Sequence, residues 1–326
     1  MSTVATSAGR APLVPGTAPP QHRLVGGNRG VPWAEVFVQG LSGLATLLIV
    51  LTVAVIVGNI VAGGWSTLSW EFLTKPPSNG LRSGGIGPAI FGTVSLVLLM
   101  VIAVIPFGTA AAIFLHEYAR PDSLWTRAVR FAVSNLAGVP SIVFGLFGLG
   151  FFIQFLGVGM DRALGLDVHW GQPCMLWAAL TLALLNLPVV VVTTEEALAA
   201  VPRHYREASL ALGATRWQTI WRVVLPQALP GILTGGILAV ARGAGEVAPI
   251  LFTGAAYFLP YLPQSVTDQF MHLGYHTFIL ATQSPDVDAT RPIMYGTVLV
   301  LLILTLLLNL CATLIRARTR ARARGM

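Results

Sequence analysis

Six apolar stretches, each long enough to cross a lipid bilayer, divide this chain and restrict its fold more than any other feature. They fall at roughly 36–62, 88–115, 131–157, 174–194, 228–255 and 293–315. A hydrocarbon core about 30 Å thick requires about 20 residues of helix. These stretches exceed a barrel strand, and a helix satisfies its own backbone polar groups, so an all-α membrane protein with six transmembrane helices is expected. The 55% share of hydrophobic residues against 10% charged, with a mean hydropathy of +0.74, makes the bilayer the solvent.

Charge then orients the helices. A net charge of +7 would also suit a nucleic-acid binder, but the distribution argues against that. Placing the N and C termini in the cytoplasm puts 15 of the 20 basic residues inside or at the inner boundary. Lys75, Arg82, Arg162 and Arg291 then lie outside, and Arg242 sits within the fifth span. Residues 1–33 lack a hydrophobic period and read as a disordered cytoplasmic lead, 34–315 as the membrane domain, and 316–326 as an arginine-rich tail. That tail reads as an anchor for lipid headgroups rather than an RNA-binding arm, so lipid and not nucleic acid is the expected partner. The first span reads as a retained anchor, not a signal peptide. Cys174 and Cys311 give no disulfide framework, and His169, His272 and His276 have no spacing that specifies a metal.

Two polar features interrupt the apolar pattern. Between the fourth and fifth spans, 195–226 carries helix punctuation. Pro202 suits a first turn, Gly213 a left-handed exit, and Thr215 with Gln218 a capping box. Two short helices around a glycine turn would form a knob on the cytoplasmic face. Within the fifth span, Arg242 is too deep to snorkel and needs a cavity or a partner. Glu246, four residues on, would share its helical face and could pair with it. The third span is rich in glycine around Pro140, which reads as close helix packing, while Ser134 and Asn135 suit either packing or solute contact.

The segment EASLALGATRWQTIWRVVLP resembles the EAA loop of ABC-importer permeases: Glu-Ala-Ala, three residues, Gly, nine residues, Ile, one residue, Leu-Pro. Ser209 stands for the third small residue and Val223 for the isoleucine. EYARPDSLWTRAVRFAVSNLAGVPSIVFGLFGLG and ARGAGEVAPILFT are similar to phosphate-importer permeases of the PstA type, and the resemblance covers most of 88–315. It implies a type I importer permease, multi-pass in the bacterial cytoplasmic (inner) membrane. Such a subunit forms half of a heterodimeric phosphate channel with a PstC-type permease. Two cytoplasmic ATPase subunits and a periplasmic phosphate-binding protein complete the assembly. By the same resemblance, Glu207, Ala208 and Gly213, with Arg206, Leu225 and Pro226, couple to the ATPase. Arg242, with its fork of donors, suits transient contact with a crossing phosphate while Glu246 holds it between cycles, and Asn135 is a further pathway candidate; the alternative is a purely structural Arg242–Glu246 pair. No Walker A pattern is present, so the expectation is a permease rather than an enzyme, with no cofactor of its own and ATP held by its partners.

Three alternatives remain open on sequence. The same architecture could carry molybdate or sulfate, because one arginine does not distinguish tetrahedral anions. A proton-coupled secondary transporter could use Glu246 as a relay, but it leaves the EAA loop unexplained. An intramembrane enzyme would need paired carboxylates or an H-E-x-x-H pattern at membrane depth, which the sequence lacks.

Overall fold

The computed structural model describes residues 33–324, so the lead expected over 1–33 lies, but for its last residue, outside the described residues. Six helical segments are long and apolar enough to cross a membrane: Glu35–Thr67, Gly87–Tyr118, Ser141–Leu164, Met175–Ala199, Arg216–Gly243 and Val287–Ala321. The chain separates into two units, up to Val55 and from Ile56 onward. In the first, the helix that begins at Trp33 exposes every described side chain, as a helix apolar all round does when lipid is its solvent.

The second unit is built around the fourth span. Ala178, Leu182, Asn186 and Val190 are buried there, packed with Leu96, Val97, Met100 and Val104 of the second span and Ala239 of the fifth. Small residues allow the backbones to approach. A Cβ at Gly108 would press on Val190, and one at Gly235 would collide with the Thr193 hydroxyl.

The third and fifth spans depart most from the sequence expectation. The third span begins at Ser141, not near 131; residues Leu124–Leu136 form a separate amphipathic helix. Pro140 explains the break, because the residue before a proline is pushed out of the α region. The fifth span starts earlier, since the second knob helix runs into it without interruption. It ends at Gly243, before a short separate helix at Ile250–Thr253. The sixth helix continues to Arg324, so the arginine-rich tail over 316–324 is helical.

At the end of the bundle away from the knob, the connection between the fifth and sixth spans contains the helix Leu273–Thr282. Phe270, Met271, Leu273, His272 and His276 are buried. The Leu273 amide donates to Thr93 Oγ1 at 2.9 Å, and the Cys174 amide to the Thr253 carbonyl at 2.9 Å. Asp161 gathers the backbone amides of His169, Trp170 and Gly171 at 2.7–3.1 Å, closing the turn between the third and fourth spans.

Candidate coupling and translocation sites

The knob forms as its punctuation dictates. Its first helix is Arg203–Ala211, and Gly213 lies at φ +86°, in the left-handed region that glycine occupies without a Cβ penalty. The Gly213 and Ala214 amides return to the carbonyls of Leu210 and Ser209 at 3.0 and 3.2 Å. Thr215 Oγ1 accepts from the Gln218 amide at 3.2 Å, while Gln218 Oε1 accepts from the Thr215 amide at 2.9 Å. Ser209 and Thr219 hydroxyls meet at 2.9 Å across the turn. The hydroxyl at Ser209, which sequence reading treats as a size-conserving change, therefore fastens the two knob helices together. Glu207, Ala208, Leu212 and Trp217 point outward, whereas Ile220 is buried and Val224 packs with Leu198, Val201, Ala228 and Ile232.

Arg206 does not share the outward face of Glu207. Its Nη2 donates to Glu117 Oε1 at 2.8 Å and to the Leu198 carbonyl at 2.8 Å; Nη1 donates to the Val201 carbonyl at 2.7 Å and Nε to Glu117 at 3.3 Å. The guanidinium thus ties the knob helix to the end of the second span and caps carbonyls at the end of the fourth. A second pair lies at the same end. Arg130, on the amphipathic helix, reaches Glu195 of the fourth span at 3.0 Å and the Leu115 carbonyl at 3.1 Å. Sequence reasoning missed Glu117 and Glu195 as partners. The available signal was a carboxylate at the end of each of two apolar spans, where an unpaired charge is expensive.

Leu225 and Pro226 sit within the continuous helix that leads from the knob into the fifth span, Leu225 partly buried and Pro226 exposed. Arg242 occupies the last turn of that span. Glu246 lies beyond the helix end, in the turn over 244–249, so the two do not share a helical face as expected; the break brings the carboxylate back, and Arg242 Nε donates to Glu246 Oε1 at 3.2 Å. Arg242 is 39% exposed and Glu246 21%, leaving most guanidinium donors open. Immediately behind them, Gly243 packs on Met100 and near Asn186. Asn186 is fully buried, with Nδ2 donating to the Leu182 carbonyl at 2.9 Å and contacting Met100 Sδ at 3.4 Å. Its Oδ1 has no hydrogen-bond partner among the described residues. Asn135 is elsewhere: it is exposed near the end of the amphipathic helix and donates to the Phe131 carbonyl at 2.7 Å.

Residues 104–325 match the family described as the inner-membrane component of binding-protein-dependent transport systems. The chain belongs to that family. A Bacillus subtilis relative named "Probable ABC transporter permease protein YqgI" is 35% identical over 84% of this chain and 92% of its own length. A Methanocaldococcus jannaschii protein named "Probable phosphate transport system permease protein PstA" is 34% identical over 81% and 87%. Among solved structures, a bacterial alginate ABC transporter in complex with its alginate pentasaccharide-bound periplasmic protein aligns with a TM-score of 0.62. The identity is 18%, over 87% of this chain and 94% of the other, which establishes the fold alone.

A permease of this family is a multi-pass inner-membrane transport subunit that works with ATPase subunits and a solute-binding protein. Both polar features fall within the matched residues. The knob lies in the chain between the fourth and fifth spans, and Arg242 and Glu246 lie at the broken end of the fifth.

Proposed function

We propose that the chain is the permease subunit of an ATP-driven inorganic phosphate importer. It would form half of the pathway with a second, PstC-type permease and receive phosphate from a periplasmic binding protein. Two cytoplasmic ATPase subunits, which bind the ATP, would drive it, so the chain itself is a transporter and not an enzyme. The observation that carries the phosphate reading is the likeness to relatives named for phosphate transport across most of their length, 87% in M. jannaschii and 80% in a Yersinia pestis PstA. The positive-inside distribution supports both termini, and hence the knob, on the cytoplasmic side.

In this reading Glu207, Ala208 and Gly213 present the docking face, and Arg242 is the transient phosphate contact. Its planar fork of donors suits an oxyanion, and only Nε is held by Glu246. Glu246 keeps the guanidinium oriented and competes with the anion, so that binding stays weak enough for release. Arg242→Gln in the assembled complex tests this: phosphate uptake should be lost while all subunits still co-purify, and normal uptake by that variant refutes the role. Competition by molybdate and sulfate in the same assay separates the phosphate reading from another oxyanion. Uptake that persists without ATPase subunits would favour a proton-coupled carrier instead.

A further inference from the structure

A large cavity lies away from Arg242, at the knob end, where the start of the fifth span meets the end of the sixth. It measures about 830 Å³ and is lined by Tyr205, Arg222, Gln227, Thr234, Arg316 and Arg320, with Pro226, Pro230 and Gly231 forming much of the remaining wall. Three guanidinium groups line it and no carboxylate does. The ion pairs among the described residues use Lys75, His116, Arg130, Arg206, Arg242 and Arg291 as their cations, and none of the cavity arginines. Arg316 is partly buried and fixed in place. The Thr234 hydroxyl donates to the Pro230 carbonyl at 2.9 Å and accepts from Arg316 Nη1 at 3.2 Å, which leaves the other donors of that guanidinium open.

Arg316 is partly buried and Arg222 and Arg320 are exposed at the cavity mouth, so three like charges share one cavity without a counter-ion, and an anion would relieve their mutual repulsion. Guanidinium forks match phosphate oxygens in pairs. We infer that this cavity is a binding site for a phosphate group, separate from the Arg242 pair and independent of which solute the permease carries. Thr234 precedes Arg242 by eight residues, about 12 Å along the helix, so one small anion cannot bridge both. Two sources share the chemistry. One is an anionic phospholipid headgroup, since the cavity lies where the apolar sixth helix gives way to its arginine-rich end; the other is inorganic phosphate. Tyr205 adjoins Arg206 on the knob helix, so an occupant touches the same element that docks the ATPase.

The test uses the assembled complex carrying Arg242→Gln, which removes the pathway contact, with and without the triple change Arg222→Gln, Arg316→Gln, Arg320→Gln. One arm measures phosphatidylglycerol retained from mixed phosphatidylcholine–phosphatidylglycerol nanodiscs. The other titrates inorganic phosphate in nanodiscs of phosphatidylcholine alone. The triple change removes three basic contacts and should weaken binding by about a hundredfold in one arm, and that arm names the source. Arg318→Gln, outside the cavity on the same helix, should leave both arms unchanged, and the triple lysine variant should recover part of the binding by restoring charge without the fork. Unchanged binding in both arms of the triple glutamine variant, or an equal loss from Arg318→Gln, overturns the assignment.

Discussion

Arg206→Gln is the perturbation that separates holding the knob from docking the ATPase. Arg206 and Glu117 side chains are 17% and 13% exposed, and the guanidinium also closes the Leu198 and Val201 carbonyls. Hydrogen bonds to charged groups contribute about 1.5–3 kcal/mol each, and breaking a fully buried pair costs about 3–5 kcal/mol. Residual exposure and the amide left by glutamine reduce this, so a loss of about 2–3 kcal/mol is expected for Arg206→Gln, with less for Glu117→Gln. The double variant should show a coupling of about 1.5 kcal/mol, because each change removes the same contact. Unfolding of the purified complex measures the cycle, and ATP hydrolysis with phosphate uptake in proteoliposomes measures the consequence. Glu207 and Ala208 keep their outward face in Arg206→Gln, so the ATPase should still co-purify and hydrolyse ATP while uptake falls. Glu207→Arg should instead lose the ATPase altogether. Strict additivity of the two changes, to within about 0.5 kcal/mol, together with wild-type uptake, would refute the brace.

Other outcomes follow from the same geometry. At Gly213 a Cβ would meet no atom, so Gly213→Ala isolates the cost of φ +86°, about 1 kcal/mol on thermal unfolding, with Gly213→Asn milder. Thr215→Ala removes the cap and should cost about 1 kcal/mol, chiefly as faster proteolysis at the knob. At Gly92 a Cβ would run into the Met271 carbonyl, so Gly92→Ala should cost about 2–3 kcal/mol and loosen the Leu273–Thr282 helix in hydrogen exchange. His272 and His276 are outside the spans, and burial lowers each from 6.5 to about 4. The unfolded chain therefore binds the extra protons first as pH falls. Stability should hold above about pH 6.5 and decline toward pH 4, by at most about 3 kcal/mol per histidine. A flat melting temperature between neutral and acid pH, unaffected by His272→Gln, would contradict that linkage.

The helices and the knob were legible in the sequence because their signals are local: long apolar runs, a proline before and a glycine after, and a threonine three residues from a glutamine. What the sequence hid depends on contacts between distant residues. Arg206 is adjacent to Glu207, yet the helical turn of about 100° per residue points one inward and the other outward. The Glu117 carboxylate that decides this lies 89 positions away. Glu246 has helical spacing from Arg242, but the helix ends between them, and the charge pair survives through the turn. The third span was placed too early because Leu124–Leu136 continues the apolar count of 141–164 while lying on the other side of a proline break.

These contacts bear on how a stroke at the knob could reach Arg242. The continuous helix from Arg216 to Gly243 spans about 40 Å and looks like a direct rod. Near its root, however, wide π-type turns occupy Ile220–Val224, and Pro226 and Pro230 each remove a ladder hydrogen bond, so displacement at the knob would be partly absorbed as bending there. The Arg206–Glu117 and Arg130–Glu195 pairs offer a second route into the second and fourth spans. Those spans meet the fifth again at Gly243, through Met100 and Asn186. A motion carried by the braces would thus arrive beside Arg242 even if the rod bends. Pro230→Ala distinguishes the routes: stiffening the rod should leave uptake nearly unchanged in the otherwise wild-type complex and should partly restore it in Arg206→Gln. Loss of uptake from Pro230→Ala alone, with the complex intact, would mean that bending at the root is itself a required step and that the braces do not carry the motion.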